Sequence, residues 1–319
     1  MIHNKRVVLL VGGVGGAKLA YGLSHVLPPE NLTIIVNTAD DFWHYGLRIC
    51  PDLDTVMYTL SGRVDKTNGW GVNSDTTAVL DMLGEYGEQP WFRLGDRDIA
   101  THLLRSMWWN EGVRLTEITQ RLSQRLGLEC RLLPMTDSPV ATIVETVEHG
   151  ELAFQDYFVR HRWQPTVRSL RFDGIEQARL SPEVESAVRA ADVIIIGPSN
   201  PWLSIEPILS IPGMRDLLKS QSVPRVAVTP IVNGKAIKGP AAKLMDELGY
   251  AVSVQSVIDF YAEVINGFVY DERDANLAID SPLNIPFDTI MDDDEKRIVL
   301  AGKVLDWALR LATISDVHV

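Results

Sequence analysis

Asp40 and Asp41, with Asp52 and Asp54 close behind, put four carboxylates within fifteen residues. Acids this close repel one another unless cations or N–H groups neutralise them, and hard oxygen ligands favour Mg²⁺ or Ca²⁺. Asp40 and Asp41 follow Leu32–Val36, which reads as a buried strand. That places them at the carboxyl edge of a parallel sheet, the usual ligand crevice of such folds. Both are candidates for metal or ligand contact. Asp54 admits two readings, a ligand in the same cluster and the N-cap of a helix starting at Thr55.

A second chemical feature comes earlier. Gly12-Gly13-Val14-Gly15-Gly16-Ala17-Lys18 follows the apolar run Val7–Val11 and opens a helix. Glycines let a ligand approach the backbone, and a helix start offers free N–H groups to an anion. Ala17-Lys18-Leu19 excludes a Walker A loop, which needs Gly-Lys-Ser/Thr, and Lys18 breaks the G-x-G-x-x-G dinucleotide fingerprint. The loop reads as a phosphate or nucleotide cradle of a less common kind, with a ligand-free tight turn as the alternative. Arg93 or Arg97 could hold a phosphate, or belong to a solvated charged turn. Ser199 and Asn200, in Gly197-Pro198-Ser199-Asn200-Pro201, offer small polar groups at the same sheet edge. Lys238, before Gly239-Pro240, is another anion-site candidate. His44 and His102 read as structural, and Trp43, Trp70, Trp91 and Trp202 as core more readily than as ring-stacking surfaces. No histidine or cysteine sits in a nucleophile's constellation.

These residues must be positioned by regular elements. Val7–Val11, a helix over Ala17–Leu27 stopped by Pro28-Pro29, and Leu32–Val36 make a βαβ unit with a parallel sheet. Strands recur at Asp192–Ile196 and Arg225–Thr229, with helices near Gly213–Ser220, Pro240–Leu248 and Asp292–Leu311. Between them, Asp98–Asn110 reads as a helix. Val140–Val147 and Leu152–Arg160 read as a hairpin around His149-Gly150. The expected fold is α/β: a Rossmann-like, mostly parallel sheet flanked by helices, formed by 1–110 and 180–319. About 110–180 would be an inserted α+β subdomain with helical and hairpin parts.

Composition narrows the function classes. A net charge of −12 argues against a general nucleic-acid binder. No apolar run approaches the ~18 residues of a membrane helix, and Val7–Val11 is too short for a signal peptide core. Cys50 and Cys130 have no metal or redox spacing and read as plain thiols in a reducing compartment. A cytoplasmic protein is expected.

GGVGGAKLAYGL, NTADDFWHYGL, PDLDTVMYTL, GWGVNSDT, LGDRDIATH, LLPMTD, GPSNPWLSIEPIL and KGPAAKLM, in this order, resemble the 2-phospho-L-lactate transferase (CofD) family from about residue 7 to 312. The resemblance implies a Mg²⁺-dependent transferase of coenzyme F-420 biosynthesis. Its donor would be lactyl-2-diphospho-guanosine or the enolpyruvyl analogue, its acceptor the terminal hydroxyl of the deazaflavin Fo, and its by-product GMP. Carried over by motif, Asp54 and Arg93 would contact Fo, and Asp40 and Asp41 fall near the metal region. The chemistry of diphosphate transfer would then use Gly12, Gly13, Gly15, Gly16, Ser199, Asn200 and Lys238 for substrate. Asp40, Asp41 and Asp54 would hold metal, and Asp54 would take or align the hydroxyl proton. A homodimer is compatible with the resemblance. The rival is a regulatory nucleotide-sugar or dinucleotide binder of the gluconeogenesis factor type. Which three-carbon acid is carried stays open.

Overall fold

In a computed structural model, which describes residues 4–236, 241–281 and 283–315, seven strands run parallel in one sheet. They are β1 (Val7–Val11), β2 (Leu32–Val36), β3 (Arg131–Pro134), β4 (Val193–Ile196), β5 (Arg225–Val228), β6 (Gly267–Asp271) and β7 (Asn284–Phe287). Their spatial order is β7-β6-β5-β4-β1-β2-β3. The chain builds outward from β1 to β3, then crosses back to β4 on the other side of β1. This reversal is the switch point at which doubly wound sheets leave a crevice beyond the strand ends.

The apolar strand runs follow from coverage of both faces. Val7, Leu9 and Val11 pack on one side with Leu19 and Leu23 of helix α1 (Gly13–Val26), while Val8 and Leu10 pack on the other with Ile194 and Ile196. Leu9, Leu19 and Leu23 are fully buried, and each such side chain contributes about 1.5–3 kcal/mol. Gly22 lets α1 lie directly against the last helix, because a Cβ there would stand 2.1 Å from the Arg297 carbonyl oxygen.

Several boundaries differ from the sequence reading, for local reasons. Helix α1 starts at Gly13, so most of the glycine loop is the first turn of the helix. Helix α2 (Pro51–Leu60) starts on Pro51, whose fixed φ suits a first helical position. Asp54 therefore lies inside the helix and is not its N-cap; Cys50 is. Helix α3 (Asp96–Asn110) is fastened by the Asp75 carboxylate, which accepts from the Arg97 and Asp98 backbone N–H groups. Helix α4 (Leu115–Arg125) leads into β3, which lies inside the segment expected to be an insertion yet forms the edge of the main sheet. Leu132 and Leu133 are buried, one on each face, which is what keeps β3 in the sheet. The closing helix, α5, spans Asp294–Ser315.

Outside the main sheet, Ala141–Thr146 pairs antiparallel with Gly150–Ala153 and with Val167–Asp173. The expected hairpin is present, but its second arm ends at Ala153. Asp156–Arg160 instead forms a π-helical turn that buries Tyr157, and the Gln155 amide donates to the Asp40 carbonyl at 3.3 Å. That bond ties the turn to the loop that follows β2. Among the described residues no helix is long and apolar enough to cross a membrane.

Candidate active site

A cavity of about 710 Å³ opens at the switch point. The glycine loop and Pro198–Asn200 form one wall, α2 and α3 another, and Phe154, Gln155 and Phe158 cover it. The segment outside the sheet thus has a role in closing the site.

The glycine-loop wall is held by a mutual tie. The Ser199 hydroxyl accepts from the Gly12 N–H and donates to the Gly12 carbonyl, both at 3.0 Å. A Cβ at Gly12 would stand 2.5 Å from Asp52 Oδ2 and from Ser204 Cβ, so only glycine fits. Gly12, Gly13 and Gly15 line the cavity. Gly16 does not; it is buried against Val11 and Ser199, where a Cβ would meet Val11 Cβ at 2.4 Å. Asn200 lines the cavity while its Oδ1 caps the next turn, accepting from the Trp202 and Leu203 N–H groups. Lys238 lies outside the described residues.

Two carboxylates share this wall. Asn37 Nδ2 donates to Asp40 Oδ2 and to Asp52 Oδ2, at 3.0 Å each, and Thr142 Oγ1 donates to Asp40 Oδ1 at 3.0 Å. Burial and the neighbouring Asp52 push the Asp40 carboxyl well above the ordinary range. Burial likewise pushes Asp52 to about 6, against hydrogen bonds from Asn37 and the Gly13 N–H. Among the described residues neither acid has an ion pair with Lys or Arg. Two hard, hydrogen-bonded carboxylates short of positive charge are a suitable donor set for a divalent cation. From sequence Asp52 is one of four clustered carboxylates but not among the metal candidates; its place on the first turn of α2, facing the glycine loop, comes only from the fold.

Asp41 does not join them. It turns to the opposite side, pairs with Arg48 at 3.4 Å and faces a separate cavity of about 340 Å³ beside Trp43. Burial pushes its carboxyl to about 7, with Arg48 opposing. The two end a tight turn in which the Asp41 N–H donates to the Thr38 carbonyl at 3.3 Å, and the pair read from sequence as one metal site is divided there.

The helical wall carries a different arrangement. Asp54 and Arg105, 5% and 2% exposed, form a bidentate pair in which Nη1 donates to Oδ2 at 3.0 Å and Nη2 to Oδ1. Arg105 Nη1 also lies 3.0 Å from His102 Nδ1. Arginine can only donate, so Nδ1 accepts, and the imidazole proton sits on Nε2, 3.2 Å from Asp98 Oδ1. The Tyr58 hydroxyl donates to the same oxygen at 2.7 Å. Burial pushes the Asp98 carboxyl up, but His102, Tyr58 and Arg105 outweigh it and hold Asp98 below its ordinary value. Asp54, Asp98 and His102 offer ligand atoms within 4.8 Å of one another. Arg105 already supplies the positive charge there and occupies the lone pair of Nδ1, so this cluster is a poor metal site. His102, read from sequence as structural, lines the cavity, and Arg105 was not singled out at all.

Aromatic side chains complete the enclosure. Trp70, Trp91, Phe92, Phe154 and Phe158 line the cavity, so Trp70 and Trp91 are site residues and not core. Trp202 is buried between Tyr250 and Phe260, as a core residue should be. Arg93 stands exposed at the cavity edge with no ion pair among the described residues.

Residues 7–284 match the family described as 2-phospho-L-lactate transferase CofD. The chain belongs to this family. It is 44% identical over 268 residues to the 2-phospho-L-lactate transferase of Methanosarcina mazei, covering 84% of this chain and 88% of that one. It is 40% identical over 319 residues to the phosphoenolpyruvate transferase of Thermobifida fusca, covering 96% and 98%. A crystal structure of a upf0052 family member from Bacillus halodurans superposes with a TM-score of 0.59 at 18% identity, covering 96% of this chain and all of that one. This last likeness bears on the fold alone. The transferase family membership makes the chain an enzyme of the phosphoryl-group transfer class, and both the family and the α/β fold agree with the sequence reading.

Proposed function

We propose that this transferase moves a phospho-linked three-carbon acid from a guanosine-diphosphate-linked donor to the terminal hydroxyl of the deazaflavin Fo. GMP leaves, and the product belongs to coenzyme F-420 biosynthesis. The carrying observation is one cavity with two chemically unlike halves. A glycine-rich helix start beside two charge-starved carboxylates suits a diphosphate, and an aromatic wall with Trp70 and Trp91 suits a flat tricyclic ring.

Transfer at a diphosphate is mostly positioning and neutralisation of charge. Asp40 and Asp52 would hold Mg²⁺; Asp41 faces away, and Asp54 already pairs with Arg105. A bound Mg²⁺ supplies positive charge against the diphosphate oxygens. The N–H groups of Val14 and Gly15, at the start of α1, would donate to the donor's phosphates. Arg93 would meet the deazaflavin at the cavity edge. Asp54, Arg105 and His102 would form a rigid floor for the acceptor chain. The turn at Asp156–Arg160 would exclude water, which competes with Fo as acceptor.

The test is turnover with Fo, Mg²⁺ and, in parallel, the lactyl and enolpyruvyl donors, read by mass spectrometry. A deazaflavin phosphodiester plus GMP is expected, and the faster donor identifies the acid. Folded protein that binds guanine nucleotide yet neither binds Fo nor yields product with either donor would favour a nucleotide-sensing role.

A further inference from the structure

Among the described residues four carboxylates line the cavity, and they differ in how many of their oxygens carry hydrogen bonds. Asp54 commits both oxygens to Arg105, and Asp40 commits both to Asn37 and Thr142. Asp52 takes the Asn37 amide and the Gly13 N–H. Asp98 differs. Its Oδ1 receives the Tyr58 hydroxyl at 2.7 Å and faces His102 Nε2 at 3.2 Å, while Oδ2 has no hydrogen bond among the described residues. The backbone beneath is equally fixed, because the Asp98 N–H donates to Asp75 at 3.1 Å. The result is a cavity-lining carboxylate clamped on one oxygen, with no hydrogen bond on the other among the described residues.

We infer that Asp98 accepts the proton of the acceptor's hydroxyl, with Tyr58 and His102 as positioning residues; the inference rests on the transfer reading above. The hydroxyl oxygen forms a bond to the phosphorus that carries the three-carbon acid. The bond from that phosphorus to the GMP oxygen breaks, its electron pair leaving with GMP. The hydroxyl proton passes to Asp98 Oδ2 and is later released to water. His102 is a poor base here, because its Nδ1 lone pair already accepts from Arg105 and its Nε2 lies buried 3.2 Å from Asp98 Oδ1. Tyr58 and Thr101 form a second hydrogen bond at 2.8 Å, which fixes the phenol that clamps Oδ1. The charged and titratable groups facing Asp98 are Tyr58 and Asp54 from α2, His102 and Arg105 from its own helix, and Asp75 from the preceding loop.

The test is steady-state transfer to Fo by Asp98→Asn, which keeps the shape and the acceptor for Tyr58. Expected is a kcat lower by at least about 100-fold, the scale of a lost general base, with the KM for Fo and Fo binding by fluorescence within a few-fold of wild type. Tyr58→Phe removes the hydroxyl that donates to Oδ1, and His102→Asn removes the imidazole that lies 3.2 Å from it. Each should lower kcat by roughly tenfold and move the acid limb of kcat to higher pH, a displacement that a merely structural defect would not produce. A second measurement covers partial misfolding. An Fo analogue with fluorine beside the terminal hydroxyl has a more acidic hydroxyl and needs less help from a base. The Asp98→Asn deficit should shrink by about tenfold with it, a ratio from which the folded fraction cancels. A kcat for Asp98→Asn within about fivefold of wild type, or an unchanged deficit with the fluorinated acceptor, would overturn the assignment. Wild-type enzyme that binds Fo but forms no phosphodiester would overturn the transfer reading itself, and this inference with it.

Discussion

Asp52 and Asp54 stand two residues apart on α2, yet their surroundings solve the problem of a buried charge in opposite ways. Successive helix positions rotate by about 100°, so the two face nearly opposite directions. Asp52 turns to the glycine loop, joins Asp40 through the Asn37 amide, and has no ion pair with Lys or Arg among the described residues; both carboxyls rise above their ordinary values. Asp54 turns to α3 and is neutralised by Arg105, and the adjoining Asp98 is held low by its donors. One side stores unsatisfied negative charge, which suits a place where a cation and a diphosphate come and go. The other is complete without a ligand, which suits a rigid wall. The lesson is that acidic residues clustered in sequence need not form one chemical unit.

This contrast can be broken from either side. The largest effect is expected on the complete side. Arg105→Met leaves Asp54 buried and unpaired, and should cost about 3–5 kcal/mol of stability, read by denaturant unfolding. Asp54→Ala should also destabilise, since it strands Arg105. Equal stability of both variants and wild type would mean that the pair is open to water. On the charge-starved side, Asp52→Asn should leave the fold intact but lower turnover by at least about 10²-fold, the scale of one lost electrostatic contact in a transition state. It should also remove the Mg²⁺-induced rise in Tm. A variant that keeps both would take Asp52 out of the cation site.

A smaller effect concerns pH. A carboxyl raised in the fold binds its proton more tightly than in the unfolded chain, so its contribution is present at acid pH and lost as pH rises from the ordinary carboxyl range through about 6 for Asp52. Without divalent cation, the stability of wild type relative to Asp52→Asn should therefore fall across that window. Added Mg²⁺ should reverse the fall near neutrality. A difference that is flat with pH would show that Asp52 is not charge-starved. The smallest effect is expected for Asp41→Asn, whose side chain faces Arg48 and the separate cavity. Its turnover should stay close to wild type; a loss like that of Asp52→Asn would return Asp41 to the site.

Much of the frame was legible because it depends on local chemistry. Val7–Val11 is apolar at every position and Leu32–Val36 at every position but Thr33, as a strand buried on both faces requires, and the glycines between them mark a strand-to-helix turn. The ends of elements were less legible. Asp54 looks like a cap when Pro51 is not weighed as a helix start, and β3 looks like part of an insertion when its partner β2 lies about a hundred residues away. Asp98, His102 and Arg105 follow an i, i+4, i+7 spacing that puts them on one face of α3. That signal was available, but a charged stripe of this kind ordinarily faces water, and nothing local says that it faces Asp54.

The parallel sheet, the glycine-led helix start, the supply of carboxylates near the strand ends and the family of the chain could all be read from the residues in order. Each of these depends on residue type and short-range spacing. The fold selects which acids meet and which are already paired: Asp40 with Asp52, Asp54 with Arg105, Asp41 with Arg48, and Asp98 hydrogen-bonded on Oδ1. The reason is physical. The charge state and availability of a buried carboxylate depend on groups within a few ångströms, and here most of those groups come from distant parts of the chain.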